Sequence, residues 1–298
     1  MNFQHVTVAG GGVLGSQIAF QSAYKGYSVI VYDINEEATG KAKERLQKLQ
    51  ANYIEDLHAS EEEVQTAFQR ISYSSDLVEA ASNADLVIEA IPEVIDIKTD
   101  FYQKLGSVAP AKTIFVTNSS TLLPSQFAEA TGRPEKFLAL HFANEIWLNN
   151  TAEIMKHPGT DENIFDEIVE FAKSIGMVAL PLQKEQPGYI LNSLLVPLLD
   201  AAQKLLVNEV SDVETIDKTW MVATGSPKGP FAILDVVGIN TAYNISHAKA
   251  VATGDPTYKK IADVLKAEYI DKGKLGAATG EGFYNYPNPS FEREDFLK

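Results

Sequence analysis

Along its first 182 residues the chain alternates between two patterns of apolar positions. Short aliphatic and β-branched runs, "HVTVAG" (5–10), "YSVIVYD" (27–33), "ISYSS", "ADLVIEAI", "TIFVTN" and "KFLALHF", have the length and bounding turns of strands. Helices are predicted between them. The first, "VLGSQIAFQSAYKG", ends at Gly26. A long polar helix begins near Glu36, breaks near His58–Ser60 and resumes in "EEEVQTAFQR". "AEIMK" adds a strand, and a helix over 161–175 and a strand "MVALPL" (177–182) complete the unit. Such alternation predicts a doubly wound α/β domain, its mainly parallel sheet covered on both faces.

At "QKEQPGYILN" the pattern changes. From Tyr189 onward the spacing is helical, with no convincing strand: "YILNSLLVPLLDAAQKLLVNE", "SDVETIDKTWMVAT", "INTAYNISHAKAVAT" and "YKKIADVLKAEYI". Pro197 is expected to kink the first of these helices. Ser211 with Glu214 three residues on is a capping-box signal. The expected division is an α/β domain over residues 1–185 and an all-helical domain over 186–298.

Composition narrows the function classes. The 298 residues are 45% hydrophobic and 22% charged, the balance of a globular protein with a core. No apolar run is expected to cross a bilayer, and the N-terminus enters a strand pattern with no room for a signal peptide. With no cysteine, disulfides, thiolate catalysis and cysteine–metal sites are excluded, which fits a reducing cytoplasm. The formal net charge of −15 repels phosphate backbones, so no nucleic-acid partner is expected.

Between the first strand and helix lies Gly10-x-Gly12-Val13-Leu14-Gly15. Gly10 permits the tight turn, Gly12 lets a pyrophosphate approach the backbone, and Gly15 lets the helix pack on the strand. The helix N-terminus then offers N–H groups to the phosphates. Asp33 ends the second strand 23 residues after Gly10, placed for the adenosine ribose hydroxyls. "DINEE" supplies no nearby arginine, so the reading is NAD over NADP on a Rossmann-type domain.

The motifs "GGGVLG", "YDIN", "IEAIPE", "TNSST", "LALHFAN", "PGYILN", "GSPKGPFAILDVVG" and "GKLGAATGEGFYNY" occur in the order seen in 3-hydroxyacyl-CoA dehydrogenases, which the chain resembles over nearly its whole length. That family includes bacterial 3-hydroxybutyryl-CoA dehydrogenases. The resemblance implies a Rossmann domain, a helical domain that forms a homodimer, and reversible NAD-dependent oxidation of a short-chain L-3-hydroxyacyl thioester. It makes His141 the catalytic base and Glu153 its partner, with Ser120 and Asn192 as polar substrate contacts. Glu93 and Lys98 correspond to positions near the nicotinamide, and Asn144 and Lys274 to further cofactor contacts.

The residues support this chemistry independently. Oxidising a secondary alcohol releases a hydride and a proton, and only the hydride goes to NAD, so a base must reach the hydroxyl. Histidine suits the task, with an unperturbed pKa of about 6.5. A carboxylate on its other ring nitrogen fixes the tautomer and stabilises the imidazolium. His141 ends one strand and Glu153 lies in the next, 12 residues later, so adjacent strands could join them. His5, His58, His157 and His247 are poorer candidates by position. Blander readings stand beside these: Ser120 as the cap of a helix near Leu122, Asn192 as an ordinary helix residue, Glu93, Lys98 and Lys274 as solvated charges.

Two places depart from the family. After His141-Phe142 the usual Phe-Asn-Pro is replaced by Ala143-Asn144-Glu145, which sets Glu145 and Trp147 in the wall expected beside the base. Lys41, Arg45 and Lys48 form a basic stripe that could meet CoA phosphates, yet Glu37–Lys41 and Glu44–Lys48 are i,i+4 pairs typical of a solvated face. Two alternatives follow: a dehydrogenase of free 3-hydroxy acids, as in the related carnitine and gulonate dehydrogenases, with Glu145 and Trp147 facing a cationic substrate; or a silent NAD-binding or structural protein, as the related lens crystallin exemplifies.

Overall fold

Eight strands form one sheet in the computed structural model, which describes residues 3–298. They are β1 (His5–Ala9), β2 (Ser28–Tyr32), β3 (Ile71–Ser74), β4 (Leu86–Glu89), β5 (Ile114–Thr117), β6 (Phe137–Phe142), β7 (Thr151–Met155) and β8 (Val178–Leu182), in the order β3-β2-β1-β4-β5-β6-β7-β8. All neighbours are parallel except β6 and β7. The exception follows from chain length. Residues 143–150 are too few for a crossover helix, so β7 must return antiparallel. The central strands β4, β5 and β6 are buried throughout, which explains their largely apolar sequences and makes Glu89 and His141 stand out.

Helices α1 (Val13–Tyr24), α2 (Glu36–Leu57), α3 (Glu61–Gln69), α4 (Leu77–Ala81), α5 (Ile95–Val108) and α6 (Glu162–Ser174) flank the sheet order. The expected break between α2 and α3 is present. His58 closes α2 in the left-handed region, and Ser60 opens α3 with a reciprocal capping box to Glu63. Val8, Ile18, Val31, Leu46, Ile88, Leu140 and Phe171 share the main core of this unit.

The chain divides into two units between Ile190 and Leu191. The second contains most of α7 (Tyr189–Val207), then α8 (Val213–Thr224), α9 (Pro230–Val237), α10 (Ile239–Thr253) and α11 (Pro256–Val264), around a core that includes Phe231, Ile239, Ile261 and Tyr284. Three expectations need correction. Helix α9 lies in "GPFAILDVVG", which the periodicity left unassigned because its apolar positions run nearly all round. Helix α8 is capped by Asp212, which accepts from Thr215 N–H at 2.8 Å, while Glu214 turns instead to Ser290. And α7, with 19 residues and a mean hydropathy of 1.5, is by length and composition alone apolar enough to cross a membrane.

Two buried carboxylates brace the second unit. Asp217 accepts from the Phe231 and Ala232 N–H groups at the start of α9 and from the Tyr284 hydroxyl. Asp235 accepts from the Phe283 and Tyr284 N–H groups and the Tyr286 hydroxyl. Burial raises the pKa of both above the ordinary aspartate value, despite these hydrogen bonds. A Cβ on Gly229 would stand 2.3 Å from Asp217, and one on Gly282 would stand 2.1 Å from Asp235. Glycines of the last two sequence motifs are therefore required by this bracing.

Candidate active site

Parallel strands deliver the loops that follow β1, β4 and β5 to one edge of the sheet, where open α/β folds bind ligands. A cleft of about 230 Å³ lies there, lined by Gly12, Val13, Leu14, Gly15, Glu93, Lys98, Asn118 and Ser120 among others. The glycines of the first loop serve different purposes. At Gly10, φ is +102° and a Cβ would sit 2.4 Å from the Ala90 carbonyl oxygen. A Cβ on Gly15 would sit 1.9 Å from the carbonyl oxygen of Gly10. Gly12 differs: its φ is −65°, and a Cβ there would meet nothing within 4 Å. Nothing in the chain demands glycine at Gly12. A pyrophosphate lying against the backbone would, and the amide groups at the start of α1 suit one. Asp33 accepts from the N–H groups of Gly11 and Ile34 at 2.9 and 2.8 Å, which holds its carboxylate at this loop. The residues present fit a dinucleotide.

Behind the cleft stands a buried ionic cluster. Glu89, wholly buried at the end of β4, accepts from Lys98 Nζ at 2.5 Å, the Ile91 N–H at 2.9 Å, the Tyr102 hydroxyl at 2.9 Å and Thr117 Oγ1 at 2.8 Å. Lys98, 1% exposed, also lies 3.2 Å from Glu93. Glu93 accepts in turn from Ser119 Oγ at 2.5 Å and from the N–H and hydroxyl of Thr121. Desolvation would raise its pKa, but these hydrogen bonds and the Lys98 charge outweigh it and pull the carboxyl down to about 2.

His141 and Glu153 are register partners across the antiparallel β6–β7 pair, so their side chains leave the same face of the sheet. His141 Nδ1 lies 3.2 Å from Glu153 Oε2, and Nε2 lies 3.3 Å from Ser120 Oγ. The imidazole stacks on Tyr189, with ring centroids 4.5 Å apart and planes 17° from parallel. Tyr189 donates its hydroxyl to the Ser119 carbonyl at 2.7 Å, and the Ile190 N–H donates to Glu153 Oε1 at 2.9 Å. The other histidines have structural surroundings: His157 contacts the Pro134 carbonyl, and His247 stacks on Tyr243.

The structure therefore brings together Gly10, Gly12, Val13, Leu14, Gly15, Asp33, Glu93, Lys98, Ser120, His141 and Glu153 in the first unit. Asn144 does not line the cleft; it lies on an exposed turn, where its carbonyl accepts from Asn149. Asn192 and Lys274 belong to the second unit, Asn192 on α7 and Lys274 paired with Glu281 at 2.6 Å. Ser120 caps no helix: the 3₁₀ turn that follows begins only at Pro124 and has no side-chain cap, and the Leu122 N–H donates instead to Ser119 Oγ. Trp147 is not a wall beside the base: it joins the main core near Tyr53 and donates its indole N–H to Asp56 at 2.8 Å. Glu145 is exposed with φ +57°, its N–H held by Gln17, so the pair does not form the expected cation-binding wall. Gly11, Ser119 and Tyr189 carry no signal of their own in the sequence, and Arg45 stands in the basic stripe rather than at the glycine loop. The only signal for Glu89 was a carboxylate inside an otherwise apolar strand, "LVIE".

The fold and this site define an NAD-dependent oxidoreductase. Residues 5–186 match the family model for the 3-hydroxyacyl-CoA dehydrogenase NAD binding domain, and residues 188–286 match that for the C-terminal domain. The chain belongs to the 3-hydroxyacyl-CoA dehydrogenase family. It is 34% identical to the mitochondrial hydroxyacyl-coenzyme A dehydrogenase of Homo sapiens, over 95% of this chain and 91% of that protein. It is 32% identical to a probable 3-hydroxybutyryl-CoA dehydrogenase of Bacillus subtilis, over 96% and 98% respectively. Among solved structures, it is similar to one described as showing substrate-directed dual catalysis of dicarbonyl compounds by diketoreductase, with 56% identity, a TM-score of 0.91, and coverage of 96% of this chain and 100% of that one.

Proposed function

We propose that the chain reversibly oxidises a short-chain L-3-hydroxyacyl-CoA to the 3-ketoacyl-CoA, with His141 as general base. The observation that carries this reading is the imidazole set between Glu153 on Nδ1 and Ser120 on Nε2. NAD, when bound, accepts the hydride from the carbinol carbon. The hydroxyl proton passes to His141 Nε2, the carbon–oxygen bond becomes a carbonyl, and Glu153 stabilises the resulting imidazolium. Ser120 orients the substrate oxygen. Glu93 and Lys98 serve the nicotinamide end, and Asn192, Asn144 and Lys274 are carried as substrate and cofactor contacts by the family resemblance. In reduction each transfer reverses.

A second reading keeps the chemistry and drops CoA, taking a free 3-keto acid or other small dicarbonyl compound. Two observations favour it. The 56%-identical structure is of a diketoreductase acting on dicarbonyl compounds. The basic stripe considered for CoA is also depleted, because Lys41 pairs with Glu37 and Arg45 turns to the glycine loop. The discriminating experiment is NADH oxidation, followed at about 340 nm, with acetoacetyl-CoA or free dicarbonyl compounds as substrate. A higher kcat/KM on acetoacetyl-CoA supports the first reading; turnover of the free compounds alone replaces it with the second.

The second unit supports a homodimer. Leu194, Val210 and Val222 are exposed, and an apolar cleft of about 390 Å³ lies among Leu198, Leu205, Val210 and Trp220. Sedimentation at micromolar concentration tests it, with a monomer as the contrary result. A cysteine-free composition supports a cytoplasmic setting.

A further inference from the structure

The two backbone polar groups of Gly11 are held by opposite charges. Its N–H donates to Asp33 Oδ2 at 2.9 Å, and its carbonyl accepts from Arg45 Nη1 at 2.9 Å. Packing sets this arrangement: a Cβ on Gly11 would stand 2.4 Å from that of Ala42, which is wholly buried on α2 one turn before Arg45. The guanidinium is thus tethered to the glycine loop, one residue from Gly12, and shares Gly11 as a hydrogen-bond partner with the Asp33 carboxylate. "DINEE" itself holds no arginine; the cation at the glycine loop comes from the third turn of α2.

Arg45 carries five N–H donors, of which the Gly11 carbonyl takes one, and forms no salt bridge among the described residues. It is a half-buried cation without a carboxylate partner, in a chain of net charge −15. The fork geometry of a guanidinium matches phosphate oxygens in pairs. Asp33 meets the ribose as an acceptor and repels a phosphate at the 2′ position.

We propose that Arg45 is a cofactor-recognition residue: a cation held at the adenosine side of the glycine loop that favours the dinucleotide's phosphate charge and would take a 2′-phosphate, so that Asp33 alone makes the site selective for NAD over NADP. In the natural chain Arg45 contributes positive potential where the diphosphate lies, and the adjacent Asp33 carboxylate excludes a further phosphate. Replacing Asp33 by a neutral acceptor removes that exclusion and leaves the cation in place. Serine retains a hydroxyl that can accept from the Gly11 N–H.

The test is equilibrium binding, independent of any substrate. NADH and NADPH are titrated by nicotinamide fluorescence into the wild type, Asp33→Ser, Arg45→Met, Asp33→Ser/Arg45→Met and Asp33→Ser/Arg45→Lys, with Tm recorded for each. The expected result is that Asp33→Ser binds NADPH at least tenfold tighter than the wild type does, and that adding Arg45→Met removes most of this gain while adding Arg45→Lys keeps part of it. Arg45→Met alone weakens NADH severalfold at unchanged Tm. The proposal is overturned if Asp33→Ser/Arg45→Met, folded by its Tm, binds NADPH as tightly as Asp33→Ser, or if Asp33→Ser gains no affinity for NADPH. If Asp33→Ser fails to fold, Asp33→Asn takes its place with the same two outcomes.

Discussion

His141 and Glu153 face each other in antiparallel register, with Nδ1 and Oε2 3.2 Å apart, both side chains buried. Because the second carboxylate oxygen holds the Ile190 N–H, Glu153 is fixed from two directions. Glu153→Gln keeps the size and one acceptor but loses the charge that stabilises an imidazolium. Its kcat should fall by on the order of 10²-fold or more, with NADH affinity little changed. Parallel loss of NADH binding would assign Glu153 to the fold instead.

Gly12 and Gly15 should respond oppositely to alanine. A methyl on Gly12 meets open space within the protein, so Gly12→Ala should keep its Tm and lose NADH affinity tenfold or more. A methyl on Gly15 collides with the Gly10 carbonyl, so Gly15→Ala should lower the Tm itself. Thermal melts beside fluorescence titrations separate the two effects, and an unstable Gly12→Ala would contradict the ligand-facing assignment.

The buried Glu89–Lys98 pair predicts a non-additive pair of substitutions. Glu89→Gln leaves Lys98 without its nearest countercharge and should cost roughly 3–5 kcal/mol of stability in urea unfolding. Glu89→Gln/Lys98→Met removes both charges and should recover part of that loss. Losses that simply add would show that the two residues are not coupled.

Glu93 links stability to acid. Its folded pKa, about 2, lies below the ordinary 4.5, so the unfolded chain binds the proton first as pH falls. The stabilisation is complete above about 4.5 and is lost as pH drops toward 2. Urea midpoints measured across that window should fall more steeply in the wild type than in Glu93→Gln, and parallel curves would contradict the assignment.

Some of this architecture was readable from residue order, and the reasons differ by residue. The strand–glycine–helix junction and Asp33 are local in sequence, so spacing was enough to place them. His141 and Glu153 could be paired because a connection over 143–150 allows only an antiparallel return. Spacing puts Arg45 in a basic stripe, facing either CoA phosphates or solvent, whereas its actual direction depends on Ala42 packing against Gly11. Trp147 was misplaced for a similar reason: its partner Asp56 lies 91 residues earlier, and only the packed helix brings it near. Glu89 and Tyr189 lie within quoted motifs but gained roles only when the cluster behind the cleft and the ring stack on His141 came into view. Long-range packing turns these side chains, and no local pattern encodes it.

The central claim is that His141 takes the substrate's proton, and it is tested most directly by comparing His141→Gln with the wild type in rapid mixing of NADH-loaded enzyme with acetoacetyl-CoA. The account predicts unchanged NADH affinity and a hydride-transfer rate reduced by about 10²- to 10⁴-fold. A variant that oxidises NADH at the wild-type rate would contradict it.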